Sequence, residues 1–462
     1  DEGYVAMKHM TLKEISKACQ GTYFGPEENL EKSVSSVVID SRKVQKDSLF
    51  IAIRGTRVDG HTFITKTIEA GALCALSEEN LGDVDFSYIL VDSCEQAMKA
   101  IAEHYRRSLD IKVVGISGSV GKTSTKEMIA SVLSQKFNVL KTEGNFNNEI
   151  GLPLTIFNIR EEHEVAVLEM GISHFGEMTR LAKMARPDIC VLTNIGCAHL
   201  EHLQSRDGIL KAKTEMFQYM NPNGTIIFNG DDDKLISFVP ENKIKPIYFG
   251  FDDNLNYHAD DIEDMGMRGT TAKFITPSSE FTAHITIPGE HMVYNALAGI
   301  AVGYALGMTD DEIKKGIEAL VPLAGRNHLI ETENLTIIDD CYNANPASMK
   351  ASLDVLAKAD TRTVAILGDM FELGDDADAM HYEVGAHAAQ IGINVVISIG
   401  EYTRFLSSGA QNQNKGTEVH HYATKADFFK EMKNVIKPHD TILIKASHGM
   451  EFPEIVEKCE AF

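Results

Sequence analysis

The chain has 462 residues, too many for one core, so two or three domains are expected. Aspartate and glutamate number 67 against 44 lysines and arginines, a formal net charge of -23, which speaks against a nucleic-acid or anionic-membrane partner but leaves small phosphorylated ligands open. No apolar run reaches membrane-spanning length, so no integral membrane segment is expected, and seven scattered cysteines without a Cys-x-x-Cys pair fit reduced thiols in a cytosol.

The opening DEGYVAMKHM lacks the basic-then-apolar order of a secretory signal and reads as an extension ahead of a start at Met7 or Met10. Up to about Leu109 short strands alternate with helices. VSSVVIDSRKV and SLFIAIRG read as strands, HTFITKTIEAGA as a helix. A new run opens with the strand IKVVGISG. The buried strands EVAVLEMG, DICVLTNIG and GTIIFNG follow, separated by helical stretches, as in a parallel sheet with crossover helices. TAKFIT and FTAHITIPG read as an added antiparallel pair. A buried helix from about His291 to Leu306 comes next, then a capping box from Thr309 to Glu312. After LAGRNH, the strands LTIIDDCY, TVAILGDM, NVVISIG and DTILIKAS again alternate with helices. The fold class is therefore α/β, with an N-terminal α/β domain over 1–109, a central parallel-sheet domain over 110–324 and a smaller α/β domain over 325–462.

The stretch GISGSVGKTSTKEM, Gly115 to Met128, carries the strongest chemical signal. A strand feeds a glycine turn and then a helix from about Lys122. Helix N-terminal N–H groups attract anions, and Gly118 and Gly121 let the backbone approach them across Ser119 and Val120. Lys122 would reach the β/γ-phosphates and the Thr123 hydroxyl, with Ser124 beside it, would meet a magnesium ion. The strict phosphate-loop pattern wants a glycine where Ile116 stands, and no Asn-Lys-x-Asp for guanine exists, so a GTP switch is not expected. Glu169 ends a strand, where a carboxylate is well placed for magnesium but reads equally as an exposed acid. His199, in NIGCAHLEHL, reads as a metal ligand or as a hydrogen-bonded structural histidine. Lys213 alone reads as a surface lysine. Asn145, Asn147 and Asn148 are turn formers or ligand donors. Asp340 ends a strand where it could hold a ribose hydroxyl.

Together these stretches resemble the Mur ligase family of peptidoglycan synthesis, whose phosphate loop is Gly-x-x-Gly-Lys-Thr, as Gly118 to Thr123 read here. The resemblance runs from DSRKVQKDSLFIAIRGTRVDGHTFI to ILIKASHG; CYNANPASM and GDMFELG are its most discriminating stretches. It implies an N-terminal UDP-substrate domain, a central ATPase domain and a Rossmann-like domain that closes over the site. It implies a cytoplasmic, monomeric ATP-dependent ligase joining D-alanyl-D-alanine to UDP-N-acetylmuramoyl-tripeptide through an acyl phosphate, with ATP and magnesium at two sites. By motif, Gly118, Ser119, Val120, Gly121, Lys122, Thr123 and Ser124 would hold phosphate, and Thr123, Glu169, His199 and Lys213 magnesium. Lys213 would be carbamylated, Asn295 would meet adenine, Arg326 the phosphates and Asp340 the ribose. Asp40, Ser41 and Arg42 would lie near the UDP end, and Asn145 and Asn148 at the junction with the nucleotide. The family commonly reads Lys-Gly-Ser-Arg where this chain has Lys445-Ala446-Ser447-His448, so that arginine is absent. The competing readings are a ligase adding a single amino acid, and a P-loop kinase or regulatory ATPase that binds a cell-wall nucleotide without ligating it.

Overall fold

A computed structural model describes residues 5–196, 200–323 and 325–462. The chain divides into two compact units: Asp1–Asp260 with Lys273–Ala283 and Val293–Ala319, and Asp261–Ala272 with His284–Met292 and Leu320–Phe462.

In the first unit, a five-stranded sheet has the order Thr22–Phe24, Ser87–Leu90, Cys74–Ser77, Ser48–Ile51, Ser36–Val38 among the described residues. Only the Thr22–Phe24 pairing is antiparallel. The strands Ser48–Ile51 and Cys74–Ser77 are buried along their whole length, as parallel strands covered on both faces must be. The helix Cys94–Ser108 buries Cys94, Ala97, Met98, Ile101, Ala102 and Tyr105 at helical spacing, and Ser93 caps its start. Its Arg106 is buried too, donating to the carbonyls of Ala185 at 2.7 Å and Arg186 at 2.8 Å. One hydrophobic cluster accordingly runs from Met7 to Leu235.

The parallel strands of the larger sheet follow the order Tyr257–Asp264, Ile247–Gly250, Thr225–Asn229, Ile189–Leu192, Lys112–Ser117, Val165–Glu169, Val139–Lys141 among the described residues. Lys112–Ser117 thus lies between Ile189–Leu192 and Val165–Glu169, with Ile116 opposite Glu169 and Ser117 opposite Leu192. This register brings the glycine turn, Glu169 and the Thr193–Asn194 segment to one carboxyl edge, where ligands of parallel sheets bind. The expected added pair is a hairpin, Thr270–Ile275 and Glu280–Ile285, whose turn closes by Thr276 N–H donating to Ser279 O at 2.8 Å. The buried helix spans His291–Ala305, and Thr309 and Glu312 form the capping box of Asp310–Glu318.

The second unit contains a six-stranded sheet in the order His328–Glu331, Thr336–Asp339, Thr441–Lys445, Thr363–Gly368, Val395–Ile399, Glu418–Tyr422 among the described residues. Separate apolar clusters cover its two faces. Asp339 pairs with Ile444, which sets Asp340 beside Lys445 at the sheet's carboxyl edge.

Two expected elements are shorter than their patterns. In VSSVVIDSRKV the strand stops at Val38, because the Asp40 carboxylate accepts the Arg42 N–H at 2.9 Å and turns Ser41–Lys43 into a single 3-10 turn. HTFITKTIEAGA splits into a 3-10 turn Gly60–Phe63 and a helix Ile64–Glu69, since Asp59 caps the His61 N–H at 3.0 Å.

Candidate active site

The centre of the first unit's site is the turn Gly118–Gly121. Gly118 has φ +154, and a Cβ there would come within 1.8 Å of Thr193 Oγ1, so only glycine lets the turn lie against the neighbouring strand end. Gly121, at φ 82, is the left-handed residue from which the helix Lys122–Leu133 starts. The loop amides are not all directed at a ligand. Ser119 N–H and Val120 N–H donate to Asn194 Oδ1 at 2.9 and 3.0 Å, leaving the first helical turn, Lys122 to Ser124, as the anion-facing end. Asn194 carries no signal in its local sequence; adjacency of two strand ends puts it there.

Two lysines converge on one carbonyl. Lys122 Nζ and Lys213 Nζ each donate to Gly118 O at 3.1 Å. Lys213 is 3 % exposed, so the surface-lysine reading fails. Burial, then the charge of Lys122, pushes its pKa down to about 7. The neutral amine is therefore favoured by desolvation and a neighbouring cation. Lys122 is also pushed down by burial, partly opposed by the charge of Glu169.

Glu169 is buried at the end of its strand and held from three sides. Asn147 Nδ2 donates to it at 3.1 Å, Thr123 Oγ1 lies 3.4 Å from both carboxylate oxygens, and Lys126 Nζ is 3.7 Å away. Lys126 itself is 1 % exposed, donating to Thr142 O at 2.7 Å. A carboxylate and a hydroxyl side by side are the hard oxygen donors magnesium takes, so Thr123 and Glu169 fit such an ion. Lys213 fits only if its positive charge is removed. His199 lies outside the described residues.

Lys122, Asn147, Asn148, Glu149, His174 and Glu177 are among the residues lining a cleft of about 470 Å³. Of the asparagines, Asn147 reaches Glu169. Asn148 is occupied in starting the helix Gly151–Phe157, its Oδ1 accepting the Gly151 N–H at 2.8 Å, and Asn145 accepts the Asn147 N–H through its carbonyl at 2.7 Å. Asn295 is brought to the same helix: Thr125 Oγ1 donates to its Oδ1 at 2.8 Å and its Nδ2 donates to Ser124 Oγ at 2.9 Å. Its amide here ties two helices together rather than being held open for a base. Asp40 lines another cleft of about 710 Å³ with Lys43, Lys141 and His163. Arg42 grips Asp40 through two N–H donors at 3.0 and 2.9 Å, which holds the carboxyl down to about 2.

Two other features carry no part of this chemistry. A cleft of about 920 Å³ beside Cys19 and Gln96 holds none of these residues, and burial pushes the Cys19 thiol up, away from a reactive thiolate. Asp59, His61 and Glu79 approach one another, but His61 Nδ1 donates to Asp59 at 2.8 Å, its Nε2 accepts the Glu78 N–H at 2.9 Å, and Arg54 donates to Glu79 at 2.8 Å.

The remaining expected residues belong to the second unit. Asp340 is fully engaged: it accepts from Lys445 Nζ at 2.9 Å, from Asn327 N–H at 3.0 Å and from the Ser352 hydroxyl. Arg326 lays its guanidinium 4.1 Å from the Tyr342 ring centroid, and the His448 ring meets the same tyrosine at 5.8 Å. The cation beside Tyr342 is thus Arg326, and His448 stands where the family's arginine is missing.

Three family models match this chain: "Mur ligase family, catalytic domain" over residues 33–106, "Mur ligase middle domain" over 116–303, and "Mur ligase, glutamate ligase domain" over 325–448. The UDP-N-acetylmuramoyl-tripeptide–D-alanyl-D-alanine ligase of Bacillus subtilis is 37% identical over 452 residues, 97% of each chain. The chain belongs to the Mur ligase family. The Mur ligase of the same name from Escherichia coli is 33% identical, over 97% of this chain and 98% of its own. Among solved Mur ligases, MurF from Acinetobacter baumannii superposes with a TM-score of 0.89 at 29% identity, covering 99% of this chain and 100% of its own. MurF ligase from Thermotoga maritima, in complex with ADP, gives 0.75 at 29% identity over 92% and 97%.

Proposed function

We propose that this Mur ligase joins D-alanyl-D-alanine to UDP-N-acetylmuramoyl-tripeptide at the expense of ATP, a cytoplasmic step of peptidoglycan precursor synthesis, and that it works as a monomer. The reading takes its substrates from the names of the relatives. The observation that carries its chemistry is the convergence of Lys122 and Lys213 on Gly118, beside the paired oxygens of Thr123 and Glu169. Residues 1–109 serve the UDP substrate, with Asp40, Ser41 and Arg42 at its nucleotide end. Residues 110–324 hold ATP, and residues 325–462 form a Rossmann-like unit that carries Arg326 and Asp340.

A carboxylate is a poor electrophile and hydroxide a poor leaving group. Transfer of the γ-phosphoryl group converts the tripeptide's carboxylate into an acyl phosphate, whose leaving group is phosphate. The helix N-terminus and Lys122 hold the phosphate oxygens as charge redistributes among them. Magnesium at two sites would be held by Thr123, Glu169, His199 and Lys213, and supplies charge neutralisation between phosphates and carboxylate. For Lys213 to join that set it would be carbamylated: its buried neutral amine takes up carbon dioxide and releases a proton, and the resulting carbamate offers oxygen donors. Asn147 and Lys126 keep Glu169 oriented. The dipeptide amine then attacks the acyl carbon, phosphate leaves and the amide forms.

The test is ADP release by the purified chain with ATP, magnesium and UDP-N-acetylmuramoyl-tripeptide. Release stimulated by D-Ala-D-Ala but not by single amino acids, with the dipeptide adduct seen by mass spectrometry, is expected. Stimulation by single amino acids, or nucleotide turnover without any adduct, would sink the reading.

A further inference from the structure

The attacking nitrogen raises a demand that Lys122 and Glu169 do not meet. A dipeptide amine is mostly protonated at neutral pH and has no lone pair until a proton leaves. Among the residues of the 470 Å³ cleft, Lys122 is a cation, and Glu149 is bound by Lys99 at 2.7 Å and by Arg180. Glu177 is directed at its own loop: Oε2 accepts the Ser173 N–H at 3.0 Å, and Oε1 lies 2.9 Å from His174 Nδ1. An ionised carboxylate only accepts, so Nδ1 carries the hydrogen and the lone pair of the neutral ring falls on Nε2. The ring is further fixed by His202, whose centroid stands 4.1 Å away. His174 also heads the helix Glu177–Ala185 on the loop that leaves Glu169, so the same strand end supplies the oxygen ligand and the base.

We infer that His174 is the general base that deprotonates the incoming dipeptide amine, with Glu177 orienting it; this rests on the ligase reading above. The ammonium gives one proton to His174 Nε2, and the freed lone pair attacks the acyl carbon. The C–N bond forms, the C–O bond to phosphate breaks, and the nitrogen's second proton leaves with the phosphate. His174, half-exposed, returns its proton to solvent.

The experiment compares two nucleophiles in the full chain with ATP, magnesium and UDP-tripeptide. D-Ala-D-Ala arrives as an ammonium; hydroxylamine is already neutral at pH 7 and traps the acyl phosphate as a hydroxamate. In His174→Ala, kcat with D-Ala-D-Ala should fall about 10²-fold or more while the loss with hydroxylamine stays within about threefold. Glu177→Gln should lose less, and more with D-Ala-D-Ala than with hydroxylamine, because the carboxylate that holds Nδ1 as the donor is gone. Equal losses with both nucleophiles would mean a structural role and overturn the assignment, as would full D-Ala-D-Ala turnover in His174→Ala. Wild-type protein that forms hydroxamate but shows no dipeptide-dependent ADP release would instead overturn the ligase reading, and the base with it.

Discussion

Lys213 in the first unit and Lys445 in the second are both buried lysines at the carboxyl edge of a parallel sheet, 3 % and 4 % exposed, yet they meet opposite surroundings. Lys445 has Asp340 at 2.9 Å and the carbonyl of Asn343 at 3.1 Å, so its charge is paired within the protein. Lys213 has one carbonyl and a second lysine, and its pKa drops to about 7. Burial with a carboxylate makes a cross-link between strands; burial beside another cation makes an amine available for chemistry. The difference separates a lysine that holds a site together from one that takes part in it.

The largest effect tests the cationic pair directly. Lys122→Ala should lower ATP turnover by about 10³-fold, since a preorganised charge on the transferring phosphate is lost. Circular dichroism and thermal melting should remain close to those of the wild type, because what is lost within the fold is a hydrogen bond to the Gly118 carbonyl. Turnover within a factor of a few of wild type would end the phosphate-loop assignment.

Lys213→Ala should lose activity about 10²-fold, and added acetate should restore part of it by placing a carboxylate where the carbamate stood. Lys213→Arg should fail as well, because guanidinium stays charged and takes up no carbon dioxide. Full activity in the arginine variant would break the contrast with Lys445. Stability offers an independent check. With a folded pKa near 7, below the unfolded value of about 10.4, the unfolded chain binds the extra proton between those values, so Lys213 makes the protein more stable as pH rises through that window. The melting temperature of Lys213→Met relative to wild type should therefore be highest below pH ~7 and decline toward pH ~10. A pH-independent difference would contradict the depressed pKa.

For the paired lysine the expected effect is on stability. Lys445→Met or Asp340→Asn should each cost about 3 kcal/mol, and the double variant less than the sum, because each single change strands a buried polar partner. Strict additivity in thermal melting would show that the pair is not coupled. The smallest effect concerns Asp40 and Arg42, an exposed pair whose geometry is good but whose setting is water. Arg42→Ala should leave the melting temperature unchanged and raise KM for the UDP substrate a few-fold. An unchanged KM would remove Asp40, Ser41 and Arg42 from the substrate site.

Much of this was legible in sequence because its causes are local. The turn Gly118–Gly121, the helix from Lys122 and the Thr309–Glu312 capping box each depend on residues within four positions of one another. Glu169 was legible as a strand-end acid because strand alternation fixes where a parallel strand stops. Asn147 could have been separated from Asn145 and Asn148 by no local signal, since what distinguishes it is a hydrogen bond to Glu169, 22 residues away. His174 lies within the span that the resemblance covers, but nothing in its spacing announced the Glu177 contact that fixes its tautomer. Lys126 hid in the helix following the loop, where a lysine reads as solvated until the fold closes over it.

By itself, then, the sequence determined the α/β class, the alternation that builds parallel sheets, the phosphate turn and, through its motifs, the family. These follow from backbone preference and periodic burial, which act within a few residues. Only the tertiary structure decided the charge state open to Lys213, the partners that occupy Asp340, and the capture of the Ser119 and Val120 amides by Asn194. Each depends on which strand ends become neighbours and on how much water the packing removes. Desolvation and long-range pairing are properties of the assembled sheet, and a lysine in a helical pattern carries no record of either.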